Sequence, residues 1–242
     1  MEADKAYRLF RPSRAAIRAI LAAALVGLFA PVARAAPESV RIQSRTMLVG
    51  GERVHCLLAG SHDGLPVVLL HGGRYSAQTW VDTGTIESLA SRGYRAVAVD
   101  LPGFGRTDRS TVEAGRWLGS FLDALKIDRP VIVTPSMSGR FALPYAIDHS
   151  KDIRGLVAVA PVGIKERERD LRRVTAPVLA IWGEKNGTIP LHHADLLVKQ
   201  VVDGKRVVVP GAGHALYMDD IAAFHRELFA FLDRVGRTSS GG

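Results

Sequence analysis

Three short segments carry side chains suited to acyl-transfer chemistry. The first is Thr134-Pro135-Ser136-Met137-Ser138-Gly139, a serine flanked two residues away on each side by small side chains. A small-x-nucleophile-x-small run fits a tight strand-to-helix turn, because the strained turn brings neighbouring backbones close together. It puts Ser136 forward as a nucleophile, although a serine-rich junction also serves as a plain helix N-cap. The second is Pro210-Gly211-Ala212-Gly213-His214, a glycine-rich loop that can deliver His214 as a general base. The third is His71-Gly72-Gly73-Arg74, where glycine lets the main chain face a developing oxyanion. The expected donors are the N–H groups of Gly73 and of Met137, the residue after the serine.

These segments need a scaffold that lines them up. After residue 37 the chain repeats one rhythm: a short apolar run, a turn rich in glycine or proline, then an amphipathic stretch. The apolar runs are Val40–Val49, Val54–Ala59, Pro66–Leu70, Arg95–Val99, Val131–Thr134, Leu156–Ala160, Val178–Trp182 and Arg206–Val209. Most of the later runs are nearly unbroken in apolar residues, as in parallel strands buried on both faces. The first two flank Gly50-Gly51 and predict an antiparallel hairpin at the sheet edge. Helix-length stretches cover Ala77–Arg92, Val112–Lys126, Ser138–His149, Leu191–Val202 and Ile221–Val235. The last places Ile221, Phe224, Leu228, Phe231 and Val235 on one face. The alternation predicts an α/β fold, a mostly parallel sheet of about eight strands with helices on both faces. Ligands bind such sheets outside the carboxyl ends of the strands. All three segments follow directly on a predicted strand.

From about residue 40 to 235 the chain resembles the α/β-hydrolase superfamily. More narrowly, it is similar to the small lidless group of abhydrolase domain-containing protein 14. That likeness rests on His71-Gly72-Gly73-Arg74-Tyr75-Ser76 with Trp80, on Gly93 to Gly103, on Pro135-Ser136-Met137-Ser138-Gly139 with Pro144, and on Val159-Ala160-Pro161. The interval Pro161 to Ala176 is too short for a cap domain. The resemblance implies a serine hydrolase of small esters or amides, with a protein acyl-lysine activity suggested for some relatives. It also implies an acid after Val178–Trp182, in the frame Gly-x-x-Asp-x-x-x-Pro. Here the frame is filled by Gly183-Glu184-Lys185-Asn186-Gly187-Thr188-Ile189-Pro190, so Asn186 stands where the family has aspartate.

An amide can accept the imidazole N–H and fix its tautomer, but it carries no charge to stabilise the imidazolium. The matching Asp→Asn change in a chymotrypsin-type protease lowers kcat about 10⁴-fold, a cost rather than an abolition. Four routes stay open at this point. The site can work as Ser-His-Asn, or Glu184, Asp219 or Asp220 can replace the acid. The fold can have become a non-catalytic binding protein using the same pocket. Finally, Asn186-Gly187 is the dipeptide type most prone to deamidation, which would restore an aspartate. Arg74 is expected to pair with a loop acid, the alternative being a carboxylate of the substrate.

Composition narrows the partners. The chain has 242 residues, 47% hydrophobic and 23% charged, which suits a single globular domain over 37–242 with a flexible tail from about 236. Half of its net charge of +8 falls within residues 1–36, and no basic run is interleaved with aromatics, so nucleic acid is not an expected partner. Residues 1–36 hold Lys5, Arg8, Arg11, Arg14 and Arg18, an apolar run from Ala19 to Ala30, and Ala33-Arg34-Ala35. That order is the pattern of a secretory signal peptide, with an uncleaved anchor as the alternative and the only expected membrane contact. The expected location is exported, periplasmic or secreted. The lone cysteine, Cys56, is expected to be a buried, inert thiol. No cofactor or metal motif is present, since adjacent His192-His193 diverge by about 100° on a helix. The expected partner is a small acyl ester or amide.

Overall fold

The inner strands are rich in valine, isoleucine, leucine and alanine because both of their faces are covered. The computed structural model describes residues 40–237. In it β1 (Gln43–Val49), β2 (Glu52–Ala59), β3 (Pro66–Leu69), β4 (Arg95–Val99), β5 (Val131–Pro135), β6 (Gly155–Val159), β7 (Val178–Gly183) and β8 (Gly204–Val209) form one sheet. Its order is β1-β2-β4-β3-β5-β6-β7-β8. β1 pairs antiparallel with β2, and β2 with β4, while the remaining neighbours are parallel. The expected edge hairpin and mostly parallel sheet are both present.

Successive strand residues face opposite sides. Val68 and Ile132 share a core with Trp117 and Phe121 of α3 (Ala114–Ala124), Leu143 of α4 (Gly139–Asp148) and Leu197 of α5 (His192–Gln200). Val67, Leu69, Val131 and Val133 share the other core. It contains Trp80 of α1 (Thr79–Asp82), Leu89 of α2 (Thr85–Ala90), Leu216 of α6 (Leu216–Asp219), and Phe224, Leu228 and Phe231 of α7 (Ile221–Arg237). The interval between β6 and β7 holds a single 3-10 turn, Leu171–Arg173, and no cap domain.

One expectation is corrected. The stretch Ala77–Arg92 is two short helices rather than one, because Gly84 takes a left-handed φ of 65° between them. At the other end α7 reaches Arg237, and the rest of the expected flexible tail lies outside the described residues. Buried Val235 extends its apolar stripe, and the Arg234 guanidinium donates to both Asp203 oxygens at 2.9 Å. The expected signal segment, residues 1–36, and the last residues, 238–242, lie outside the described residues. Cys56 is fully buried, and burial pushes its thiol up to about 11, so it is inert as expected.

Candidate active site

β5 ends at Pro135, and the chain then turns through Ser136 with φ 51° into a 3-10 turn and α4. A non-glycine residue in the left-handed region is strained, and here the strain projects the serine above the sheet. The flanking Thr134 and Ser138 are buried, yet neither hydroxyl is orphaned. Ser138 Oγ–H donates to the Pro135 carbonyl at 2.7 Å, so Thr134 Oγ1–H donates to Ser138 Oγ at 3.0 Å. Val162 N–H donates to the Ser136 carbonyl at 2.9 Å and fixes the elbow to the loop after β6. The same closeness demands glycine at 139, where a Cβ would lie 2.2 Å from the Val162 carbonyl oxygen. Gly139→Ala is therefore expected to cost about 1–3 kcal/mol, read as a lower Tm in thermal unfolding.

His214 arrives on the loop after β8, and its Nε2 lies 2.8 Å from Ser136 Oγ. Its Nδ1 lies 3.1 Å from Asn186 Oδ1. That Asn186 atom also accepts the N–H groups of Thr188 and Ile189, each at 3.0 Å, and so must be the oxygen. His214 Nδ1–H therefore donates to it, leaving Nε2 as the acceptor for the Ser136 hydroxyl. The Asn186 loop is itself held in place. Trp182, fully buried in β7, donates its indole N–H to the Ile189 carbonyl at 3.2 Å. Lys185 N–H donates to the Ala212 carbonyl at 2.9 Å, tying the Asn186 loop to the His214 loop. Asn186 Nδ2 is buried with no partner among the described residues. An orphaned donor of that kind costs about 1–3 kcal/mol, so the amide fits this slot on one side only.

The replacement acids fare differently. Glu184 accepts Gly211 N–H at 2.9 Å, and Asp220 accepts Ala223 N–H at 2.9 Å, so both are engaged elsewhere. Asp219 makes no hydrogen bond to His214, but its carboxylate lies against Gly213, the preceding residue. Burial holds His214 below the ordinary imidazole range, and the charge of Asp219 partly opposes that shift. The base form is the neutral one. We therefore expect kcat/KM to be constant at neutral pH and to fall with acid only below about 6.5, the ordinary imidazole value. A pH-rate profile on the free enzyme checks this.

The loop after β3 meets the elbow from the other side. His71 is fully buried and holds the loop: its Nδ1–H donates to the Gly72 carbonyl at 2.8 Å, while its Nε2 accepts Leu101 N–H at 3.0 Å. Burial keeps its pKa low and the ring neutral. Asp100, buried beside it, accepts the N–H groups of Ala77 at 2.7 Å and Arg106 at 2.9 Å, as well as His55 Nδ1–H at 2.7 Å. So braced, Gly73 packs against Met137, its missing Cβ position lying 3.8 Å from the methionine Cβ. Neither the Gly73 nor the Met137 N–H has an acceptor among the described residues.

Ser136, His214, Gly73 and Met137 share a cavity of about 520 Å³ with Arg74, Tyr75, Arg140, Val162, Thr188 and Tyr217. Arg74 pairs with no acid among the described residues, which corrects the expected loop-acid partner. Arg140 and Tyr217 were not singled out from the sequence. The available signal was spacing: Arg140 lies four residues after Ser136, and Tyr217 three after His214. Among the described residues no group of His, Cys, Asp or Glu could hold a metal ion.

A family model described as the alpha/beta hydrolase fold matches residues 66–172, an interval that includes Gly73, Arg74, Ser136 and Met137. A relative from Rattus norvegicus, provisionally named protein-lysine deacylase ABHD14B, is 37% identical over 179 residues, covering 70% of this chain and 83% of that protein. The chain belongs to the ABHD14 family of α/β-hydrolases. Protein ABHD14A of Danio rerio is 39% identical over 181 residues, covering 71% of this chain and 65% of its own length. Among solved structures, the predicted CIB-like hydrolase from Thermoplasma acidophilum superposes with a TM-score of 0.75 at 23% identity, covering 80% of this chain and 98% of that one. At that identity the likeness is one of fold. As an ABHD14 member the chain is a hydrolase of the α/β fold. Asn186 and His214 fall outside the 66–172 match, so their place in the site rests on geometry.

Proposed function

We propose that this ABHD14 protein is a serine hydrolase that cleaves small acyl esters or amides through an acyl-enzyme on Ser136. The supporting observation is the unbroken relay from Ser136 Oγ to His214 Nε2 at 2.8 Å and from His214 Nδ1 to Asn186 Oδ1 at 3.1 Å. Ser136 Oγ attacks the carbonyl carbon while His214 Nε2 takes its proton. The N–H groups of Gly73 and Met137 receive the oxyanion. His214 then returns the proton to the leaving alcohol or amine, and water, deprotonated by the same imidazole, releases the acid. Asn186 holds His214 in the correct tautomer without offsetting its positive charge. The name of the rat relative makes an acyl-lysine amide a substrate to try beside simple esters.

The test is turnover of short-chain alkyl esters and acyl-lysine peptides by wild type and Ser136→Ala. Slow turnover that falls about 100-fold in the variant supports the reading, while turnover equal in both would remove it. Residues 1–36 we assign to export, on their cationic start, apolar run and Ala33-Arg34-Ala35 site. N-terminal sequencing of protein from the cell exterior or periplasm should begin near residue 37. A retained Met1 in cytosolic protein would contradict the assignment.

A further inference from the structure

The cavity above Ser136 has a charge asymmetry that hydrolysis of a neutral ester does not use. Its lining includes Arg74 and Arg140 and no aspartate or glutamate. Neither guanidinium has a hydrogen bond or ion pair with a described residue. Several arginines elsewhere do hold an acid, Arg53 with Asp108 and Arg173 with Asp148 at 2.9 Å, Arg206 with Asp195 at 3.2 Å, and Arg234 with Asp203 at 2.9 Å, whereas no acid lines this cavity. Two arginines without a partner among the described residues thus share the cavity with the nucleophile. Arg140 sits in the first turn of α4, one helical turn beyond Ser136. Arg74 follows the glycines of the opposite loop and holds a left-handed φ of 69°, a conformation that side-chain-bearing residues rarely keep outside ligand-facing and turn positions.

We propose that the substrate carries a carboxylate within a few atoms of its scissile carbonyl, and that Arg74 and Arg140 bind it. A guanidinium presents a planar fork that matches a carboxylate with two parallel N–H···O bonds. A cleft lined by one sign of charge also concentrates ligands of the opposite sign. A half-ester of a dicarboxylic acid puts the charge on the acyl side; an ester of a hydroxy acid puts it on the leaving group.

This deepens the serine-hydrolase reading, so binding is measured apart from turnover. On Ser136→Ala protein, chemical-shift titration compares monomethyl succinate with methyl succinamate, and acetoxyacetate with acetoxyacetamide. Each pair differs only in carboxylate against carboxamide. We expect one acid to bind about tenfold or more tightly than its amide, with the advantage shrinking at high salt. Which pair discriminates tells whether the charge belongs to the acyl or the leaving side. In Arg74→Gln/Arg140→Gln the ratio should fall to within about twofold of one, and Arg140→Lys should retain part of it. With catalytically intact protein the same ratio is read in kcat/KM, chiefly through KM. Equal binding of acid and amide, or a preference that survives the double variant, would overturn the proposal. Loss of turnover with every ester while the binding preference persists would sink the hydrolase reading and leave this one standing.

Discussion

Asn186→Asp is expected to raise kcat, by at least tenfold and by up to about 10⁴-fold. Asn186 Oδ1 already receives three N–H groups, from Thr188, Ile189 and His214, and three donors converging on one oxygen favour an anion. The orphaned Nδ2 would be replaced by an oxygen of the same size, removing a buried donor without a partner. The carboxylate would then offset the imidazolium as the Ser136 proton moves. It also favours charged His214, so the acid limb of the pH-rate profile should move upward from its burial-depressed position. A rise in kcat with that shift is the expected pair of results. Unchanged kcat at full folding would mean that the imidazolium is compensated from elsewhere, Asp219 being the nearest source.

The second prediction concerns how the triad members couple. Residues that act as a unit are not additive: in a serine protease, loss of the serine or histidine alone costs about 10⁶ in kcat, and loss of the aspartate about 10⁴. With asparagine already in place, the remaining Ser-His contribution is about 10². Ser136→Ala should therefore cost only about 10² in the natural protein and about 10⁶ beside Asn186→Asp. Steady-state kinetics of the two single variants and the double variant measure that coupling. Equal losses on both backgrounds would show that Ser136 and residue 186 do not work together.

Much of this site was legible because each element announces itself locally. Strands covered on both faces cannot tolerate polar side chains, so Val131–Thr134 and Val178–Trp182 stood out as apolar runs. Ser136, Asn186 and His214 follow directly on the carboxyl ends of β5, β7 and β8 or the loops after them. What the sequence hid is tertiary. The break at Gly84 depends on a single φ inside an otherwise helical stretch. Glu184 was a candidate acid until the fold turned it toward the Gly211 N–H. The solitude of Arg74 could not be seen either, since an ion pair is decided by what the fold brings near. That the small residues Thr134 and Ser138 pair their hydroxyls also shows only in the fold.

The most direct test of the central claim is peptide mass spectrometry after treatment with a fluorophosphonate, which labels serines activated by a neighbouring base. The account predicts an adduct on the peptide containing Ser136, slow to form in the natural protein, faster with Asn186→Asp and absent with Ser136→Ala. The same spectrum reads the mass at residue 186, so labelling by molecules in which Asn186 has become aspartate is distinguished from labelling by the asparagine form. Folded protein that shows no adduct on Ser136, with or without Asn186→Asp, would contradict an activated serine and leave the pocket as a binding site.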